Sequence, residues 1–192
     1  PDCDPATDCT EANATLRKTL AQLKWAPWVT AGNAIPTAPG TAGVGDFEGC
    51  RYQSTGVYRP TDSSCIMLTL GEPFCPVCAE AMSLSLLGRV SLLDPATQTL
   101  DVSQCDAPVT LMGSGPEVAQ DSVVWKLDGN SVSTSTADLT LRPRDLSPGQ
   151  HTALVTRSEV TQLIKTDPNG DTHAERSYTL RVAACDAGPE PT

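Results

Sequence analysis

The feature that most restricts what this chain can fold into is the placement of its eight cysteines: residues 3, 9, 50, 65, 75 and 78, and then only 105 and 185. Cysteines that bracket a stretch of chain are the pattern of a disulfide framework, so Cys105 and Cys185 are expected to pair and close one unit. The other six, Cys3, Cys9, Cys50, Cys65, Cys75 and Cys78, fall to a second unit, with their pairing open. A competing reading is a zinc site. Cys75-Pro-Val-Cys78 has metal-ligand spacing and Cys65 offers a third thiolate, but no second CxxC follows and His151 and His173 lie in the other half of the chain. Structural disulfides are therefore the expectation. A thioredoxin-like redox pair is set lower still, because no βαβ pattern surrounds the motif. The framework implies an oxidising compartment and a secreted protein. Asn13-Ala14-Thr15 adds a glycosylation pattern that fits export but is common by chance.

Charge narrows the partners. Thirteen Lys and Arg stand against 23 Asp and Glu, with no basic run, so nothing could neutralise a row of phosphates and nucleic acid is excluded. The longest stretch without a charged residue, Trp25 to Gly45, is broken by Pro27, Pro36, Pro39 and several glycines and cannot be a membrane helix, so no membrane insertion is expected. The chain begins with Pro1 and shows no basic-then-apolar leader, so any export signal is expected to have been removed or to lie outside this sequence.

Two textures follow one another. Leu16, Leu20 and Leu23 recur at helical spacing behind Thr10, which predicts an amphipathic helix over 11–24. Residues 26–63 carry Gly and Pro every few positions and no period, so they predict a long irregular region pinned by side chains or disulfides. Pro76 suits a first helical turn, and Val77, Ala81, Leu84 and Leu87 continue a helix to about Val90. From Leu100 the chain turns to short Val- and Thr-rich runs. Strands are expected at 108–112, 122–127, 138–142, 151–156, 160–165 and 177–182, with turns at Asp128-Gly129, Pro148-Gly149 and Asn169-Gly170. That spacing, with one central Trp125, is the pattern of a β-sandwich. The expected organisation is an α+β N-terminal subdomain of short helices and long disulfide-pinned loops over 1–93, a linker at 94–104, an all-β sandwich over 105–186 and a disordered tail at 187–192.

Chemistry-bearing motifs are sparse. Asp167-Pro-Asn-Gly-Asp171 spaces oxygens as a calcium loop would, but its glycine comes too early and Tyr178 stands where the bidentate Glu belongs, so a hairpin turn is expected. His151 and His173 have no nucleophile motif beside them and read as surface or strand-edge histidines. Gly43-Val-Gly45 lacks the rest of a phosphate-loop fingerprint.

Six segments say more when taken in order: Lys24 to Val29, Ile35 to Thr37, Val44 to Gly49, Tyr52 to Pro60, Cys65 to Met67, and Phe74 to Cys78. Their order and spacing over residues 8–90 resemble the IgA-peptidase-like zinc metallopeptidases. The later stretch, Val124 to Gly129 through Leu146 to His151 and on to Ile164 to Asp167, looks like the immunoglobulin-like module that follows the catalytic domain in some of these secreted bacterial enzymes. The resemblance implies a metzincin-type hydrolase in which an HExxH helix and a third ligand hold zinc, with the Glu as general base on the metal-bound water. This sequence contains no HExxH. In the family that motif lies upstream of the Lys-Trp segment, so no catalytic residue and no metal ligand is expected in this chain. Zinc would serve the complete enzyme, and none is expected to bind this chain alone.

What the resemblance carries onto this sequence is the lower half of a cleft. Met67 takes the place of the family's Met-turn, a packing role in either reading. Tyr58 and Arg59 precede it and either line the substrate cleft or brace the loop. Cys50 stands where the family more often has a small residue. The implied partners are a protein or peptide substrate and the chain's own N-terminal catalytic half. The alternative is a non-catalytic secreted binding module that uses the immunoglobulin-like domain.

Overall fold

The computed structural model describes residues 3–116, 121–132 and 137–184, so the Cys105–Cys185 pairing and the expected tail at 187–192 lie outside the described residues. Cys105 itself is disulfide-bonded. By its internal contacts the chain divides into a first unit, residues 1–86 with 162–167, and a second, residues 87–161 with 168–192. Among the described residues, no helix is long and apolar enough to cross a membrane.

In the first unit, β1 (Cys3–Asp4) and β2 (Asp8–Cys9) form a short hairpin closed by the Cys3–Cys9 disulfide. β3 (Phe47–Gly49), a single turn of helix α1 (Cys50–Gln53) and β4 (Ser54–Arg59) follow, with β3 antiparallel to β4. Helix α2 (Pro76–Leu87) opens with Pro76 in its first turn, where a missing N–H costs nothing, and stops three residues short of the expected Val90. The helix expected over 11–24 does not form. Thr15 exchanges backbone hydrogen bonds with Tyr58 at 3.1 and 2.8 Å, while buried Asp8 accepts the Thr15 hydroxyl and the Leu16 N–H, both at 2.7 Å. Those groups are spent before an i to i−4 ladder can use them. Only a 3-10 turn at Leu20–Gln22 remains, and Leu20 is exposed while Leu23 is buried.

The irregular stretch 26–63 is pinned by side-chain hydrogen bonds, one of the two means expected for it. The Trp25 indole donates to Gly45 O at 2.7 Å, Asn33 Nδ2 to Ala42 O and Val44 O, and Gly40 N–H to Asp62. Thr30 and Thr37 hydroxyls accept from Val44 and Asp46 N–H. Gly45 is obligatory in this arrangement, because a Cβ there would stand 2.3 Å from Thr37 Oγ1. Cys3–Cys9 is the one disulfide with both halves among the described residues. Cys65, Cys75 and Cys78 are buried thiols, which corrects the expectation that they are disulfide-bonded.

The second unit is built of β5 (Thr99–Val102), β6 (Val109–Leu111), β7 (Asp121–Leu127), β8 (Asn130–Val132), β9 (Leu139–Leu141), β10 (Gly149–Glu159) and β11 (His173–Val182). Five strands form one sheet in the order β5-β11-β10-β7-β8, and β6 pairs with β9 in a second. Side chains from both sheets share one core around fully buried Trp125, including Leu111, Leu139, Val155, Tyr178 and Leu180, as a β-sandwich requires. Trp125 donates to Ala137 O at 3.0 Å and sits with its ring 5.9 Å from that of Tyr178, and Gly113 leaves room for it, since a Cβ would fall 2.8 Å from the indole.

Two expectations fail here. The presumed linker 94–104 contains β5, which runs parallel to β11. Residues 160–165 are not a strand, and Gln162–Asp167 groups with the first unit, where buried Glu80 accepts the Thr166 N–H at 2.8 Å and the Trp28 indole at 2.6 Å. Asp128-Gly129 makes the β7–β8 turn as expected, with both residues at positive φ.

His151 is not a surface residue. It faces inward on β10, with Nδ1 2.6 Å from Asp128 Oδ2 and Nε2 2.8 Å from Ser147 O. Asp128's carboxylate raises the imidazole pKa above its usual value, and the imidazole holds Asp128 below the carboxylate range. The histidine's contribution to stability is full below about pH 6.5 and is lost as pH rises through its raised value, whereas the aspartate's is lost only at acid pH. The denaturation midpoint of the second unit is therefore expected to fall as pH rises above neutral, and Asp128→Asn to flatten that profile. An unchanged slope in the variant would show that another group titrates. His173, by contrast, is exposed on β11.

Candidate functional site

Among the described residues, the densest cluster of chemistry-bearing side chains lies in the core of the first unit, where three sulfurs converge. Cys65 opens a tight turn in which its carbonyl accepts from Leu68 N–H at 2.9 Å and Thr69 N–H at 3.0 Å. Cys75 immediately precedes α2, and Cys78 lies in that helix's first turn. The three Sγ atoms all lie within 4.8 Å of one another, with Cys75 and Cys78 at 3.3 Å, and all three residues are buried. Leu23, Trp25, Val44 and Val77 pack around them.

Every sulfur of this group receives an N–H. Cys65 accepts from the backbone of Met67, and Cys75 from the backbones of Val77 and Cys78. Asn13 Nδ2 stands 3.1 Å from Cys78 Sγ and 3.9 Å from Cys65 Sγ. Thiol donation from Cys65 and then Cys78 holds the Cys75 thiol well below its usual pKa. Donation into Cys75 and then Cys78, together with burial, pushes Cys65 up. Cys65 pulls Cys78 down, but Cys75 and burial outweigh it and leave Cys78 raised. The cluster by itself thus concentrates negative charge on one sulfur at the positive end of a helix. The Asn13 of the glycosylation pattern is half-buried with its amide nitrogen turned onto these sulfurs, and Thr15 of the same pattern is fully buried.

Met67 sits inside the turn that Cys65 begins and packs, partly buried, against the cluster around Trp25 and against the one formed by Cys9, Ala14 and Cys50. Tyr58 and Arg59 occupy the bracing alternative. Tyr58 is 4 % exposed and Arg59 5 %. The Arg59 guanidinium reaches Glu48 O with Nη1, Asp62 O with Nε at 3.2 Å and with Nη2 at 2.6 Å, and the Asp62 carboxylate with Nη2 at 3.2 Å. A guanidinium so enclosed ties β4 to the Glu48 and Asp62 backbone.

Sequence reasoning passed over Asp46. It is wholly buried, and neither carboxylate oxygen has a hydrogen-bond partner. Burial first, and the charge of Asp8 second, push its pKa up to about 7, against a smaller opposing pull from Lys18. A sequence signal existed: Asp46 stands between Gly45 and Phe47, directly after Val44.

A catalytic zinc of the HExxH kind does not fit the residues present. Two groups of candidate ligands occur among the described residues, Cys65 with Cys75 and Cys78, and Cys3 with Cys9 and Glu11, and neither contains a histidine. His151 is engaged by Asp128 and Ser147, and Cys3 and Cys9 are joined in a disulfide.

Comparison with known proteins places one family on this region. The family described as IgA Peptidase M64 matches residues 38–86, which span β3, β4, the Met67 turn, the three thiols and nearly all of α2. No curated protein matches. A solved structure of the Bacteroides ovatus mixed-linkage glucan utilization locus SGBP-B, in complex with a mixed-linkage heptasaccharide, is similar at 17 % identity and a TM-score of 0.33. The match covers 44 % of this chain and 20 % of that one.

Proposed function

We propose that this chain is the C-terminal part of a secreted zinc metalloendopeptidase of the metzincin type, with an immunoglobulin-like sandwich following the peptidase portion. The observation that carries the reading is the family match over residues 38–86, which falls on the segment that contains the Met67 turn and its supports. The M64 peptidases use zinc, and the residues described above supply no histidine ligand and no general base for it. On this reading those groups come from polypeptide outside these 192 residues. Bound there, the metal would lower the pKa of a water that attacks the peptide carbonyl.

This chain's own part is support. The Cys65–Thr69 turn presents Met67 as an apolar, polarisable side chain on a rigid base, a role for which a thioether suits better than a branched residue. Arg59 ties β4 to Glu48 and Asp62 and so holds the strand that leads into that turn. The Cys3–Cys9 disulfide accords with an extracellular site of action, and the substrate class is protein or peptide.

The test is to produce the chain with the polypeptide encoded directly upstream and compare it with the 192 residues alone. Chelator-sensitive cleavage of an unfolded protein is expected from the longer form and none from the shorter. An upstream frame with a signal peptide but no HExxH would sink the peptidase reading and favour the binding module.

A further inference from the structure

We propose that Cys65, Cys75 and Cys78 hold one structural divalent metal ion of the soft kind, zinc above all, in the core of the first unit. The proposal rests on the convergence of the three sulfurs and is independent of the peptidase reading.

A tetrahedral zinc–thiolate site has Zn–S bonds of about 2.3 Å, which puts its sulfurs about 3.8 Å apart. Three Sγ atoms already within 4.8 Å of one another, one pair at 3.3 Å, need only small rotations to reach that geometry. Their placement in the chain is also suited to it. Cys75 and Cys78 form a CxxC at a helix start, and Cys65 comes from a separate turn ten residues earlier, so two rigid pieces of backbone meet at one point.

The donors argue for a charged site. Backbone N–H groups of Met67, Val77 and Cys78 aim at sulfur. Such N–H to sulfur contacts stabilise thiolates, and the same outer contacts orient the ligands of metal sites. Two or three thiolates in a buried core repel one another unless a cation lies between them.

A disulfide accounts for less. Any pair among the three would leave the third buried beside it, and would spend the backbone N–H donors on neutral sulfurs. The fourth ligand is assigned to Asn13, whose amide nitrogen stands 3.1 Å from Cys78 Sγ and 3.9 Å from Cys65 Sγ. Its carboxamide is the same shape in either orientation, and turned by half a revolution it presents Oδ1 to the metal in place of Nδ2 to sulfur. A site of this kind also explains how three buried thiols persist in a secreted protein: ligation keeps them from oxidative pairing.

The experiment uses the whole chain, reduced, stripped with chelator under inert gas, then loaded with zinc or cobalt(II) alone and desalted. About one metal per chain should be retained. The cobalt form should show tetrahedral ligand-field bands and charge-transfer intensity of three thiolates. Cys65→Ser, Cys75→Ser and Cys78→Ser should each abolish retention, whereas Cys50→Ala should keep it. Asn13→Leu should weaken zinc at least tenfold, and unchanged affinity would remove Asn13 from the site. Because a variant can simply unfold, native wild type is also alkylated: zinc should protect three thiols, which become reactive when chelator is added. Failure to retain metal, or a disulfide between any two of the three in the native chain, overturns the proposal. Retention that survives all three serine substitutions does the same.

Discussion

Asp46→Asn is expected to stabilise the first unit by about 4 kcal/mol above about pH 8, and to change it little near pH 4. The wild-type carboxyl is wholly buried, lacks a hydrogen-bond partner at either oxygen, and has its pKa raised from 3.8 to about 7. The sign follows from proton counting. Below pH 3.8 both folded and unfolded chains carry the proton, and the side chain contributes no pH dependence. Between 3.8 and about 7 the unfolded chain loses the proton while the folded one keeps it, so stability declines at about 1.4 kcal/mol per pH unit. Above that range the folded state also ionises, and the full cost of a buried carboxylate near Asp8 remains. An amide of nearly the same shape removes the charge and with it the slope. Hydrogen exchange resolved to amides of the first unit should show a protection gain that grows from acid to neutral pH and then levels. A gain that is constant with pH would mean that folding does not shift the pKa of this carboxyl.

The same residue marks a limit of sequence reading. Alternation served well where one face of a strand meets a core: Ala153 and Val155 are buried in turn on β10, and Tyr178, Leu180 and Val182 on β11. Trp125 at the centre of the sandwich and the Asp128-Gly129 turn were legible for the same reason, since each is decided by local pattern. The misses share a cause of another kind. Leu16, Leu20 and Leu23 have helical spacing, but Tyr58 and Asp8 claim the backbone and hydroxyl groups around Thr15 from a distance. β5 is weakly patterned and becomes a strand because β11 offers it an edge. The stretch 160–165 has strand composition, yet Glu80 accepts the N–H of its last residue, Lys165, and that of Thr166 just beyond it. At the site, CxxC was visible in the sequence, whereas the meeting of Cys65 with it is a tertiary fact. The missing second CxxC or histidine made zinc look poor on sequence alone, because spacing cannot reveal which distant side chains, Asn13 among them, the fold brings to these sulfurs.

Asp121→Ala is expected to cost the second unit about 3–5 kcal/mol, more than its half-exposed position on β7 would suggest. Arg157 occupies an inward position of β10 and is 5 % exposed. Its Nε and Nη2 reach Asp121 Oδ2 at 2.9 and 2.7 Å, Nη1 donates to Leu92 O at 3.2 Å and Nη2 to Pro116 O at 3.0 Å. Removing the carboxylate leaves the two carbonyls but strands a permanent cation in the core, since a guanidinium cannot shed its charge at any accessible pH. Arg157→Met removes the cation instead. It frees Asp121 to solvent and leaves the buried Leu92 carbonyl unsatisfied, a smaller cost of about 1–3 kcal/mol. The double variant should then be about as stable as Arg157→Met alone and clearly more stable than Asp121→Ala alone, because the second substitution removes the charge that made the first one costly. Urea denaturation followed by Trp125 fluorescence reads all three. Simple addition of the two single costs would mean that the pair is valued for its bond, and that the stranded cation finds water.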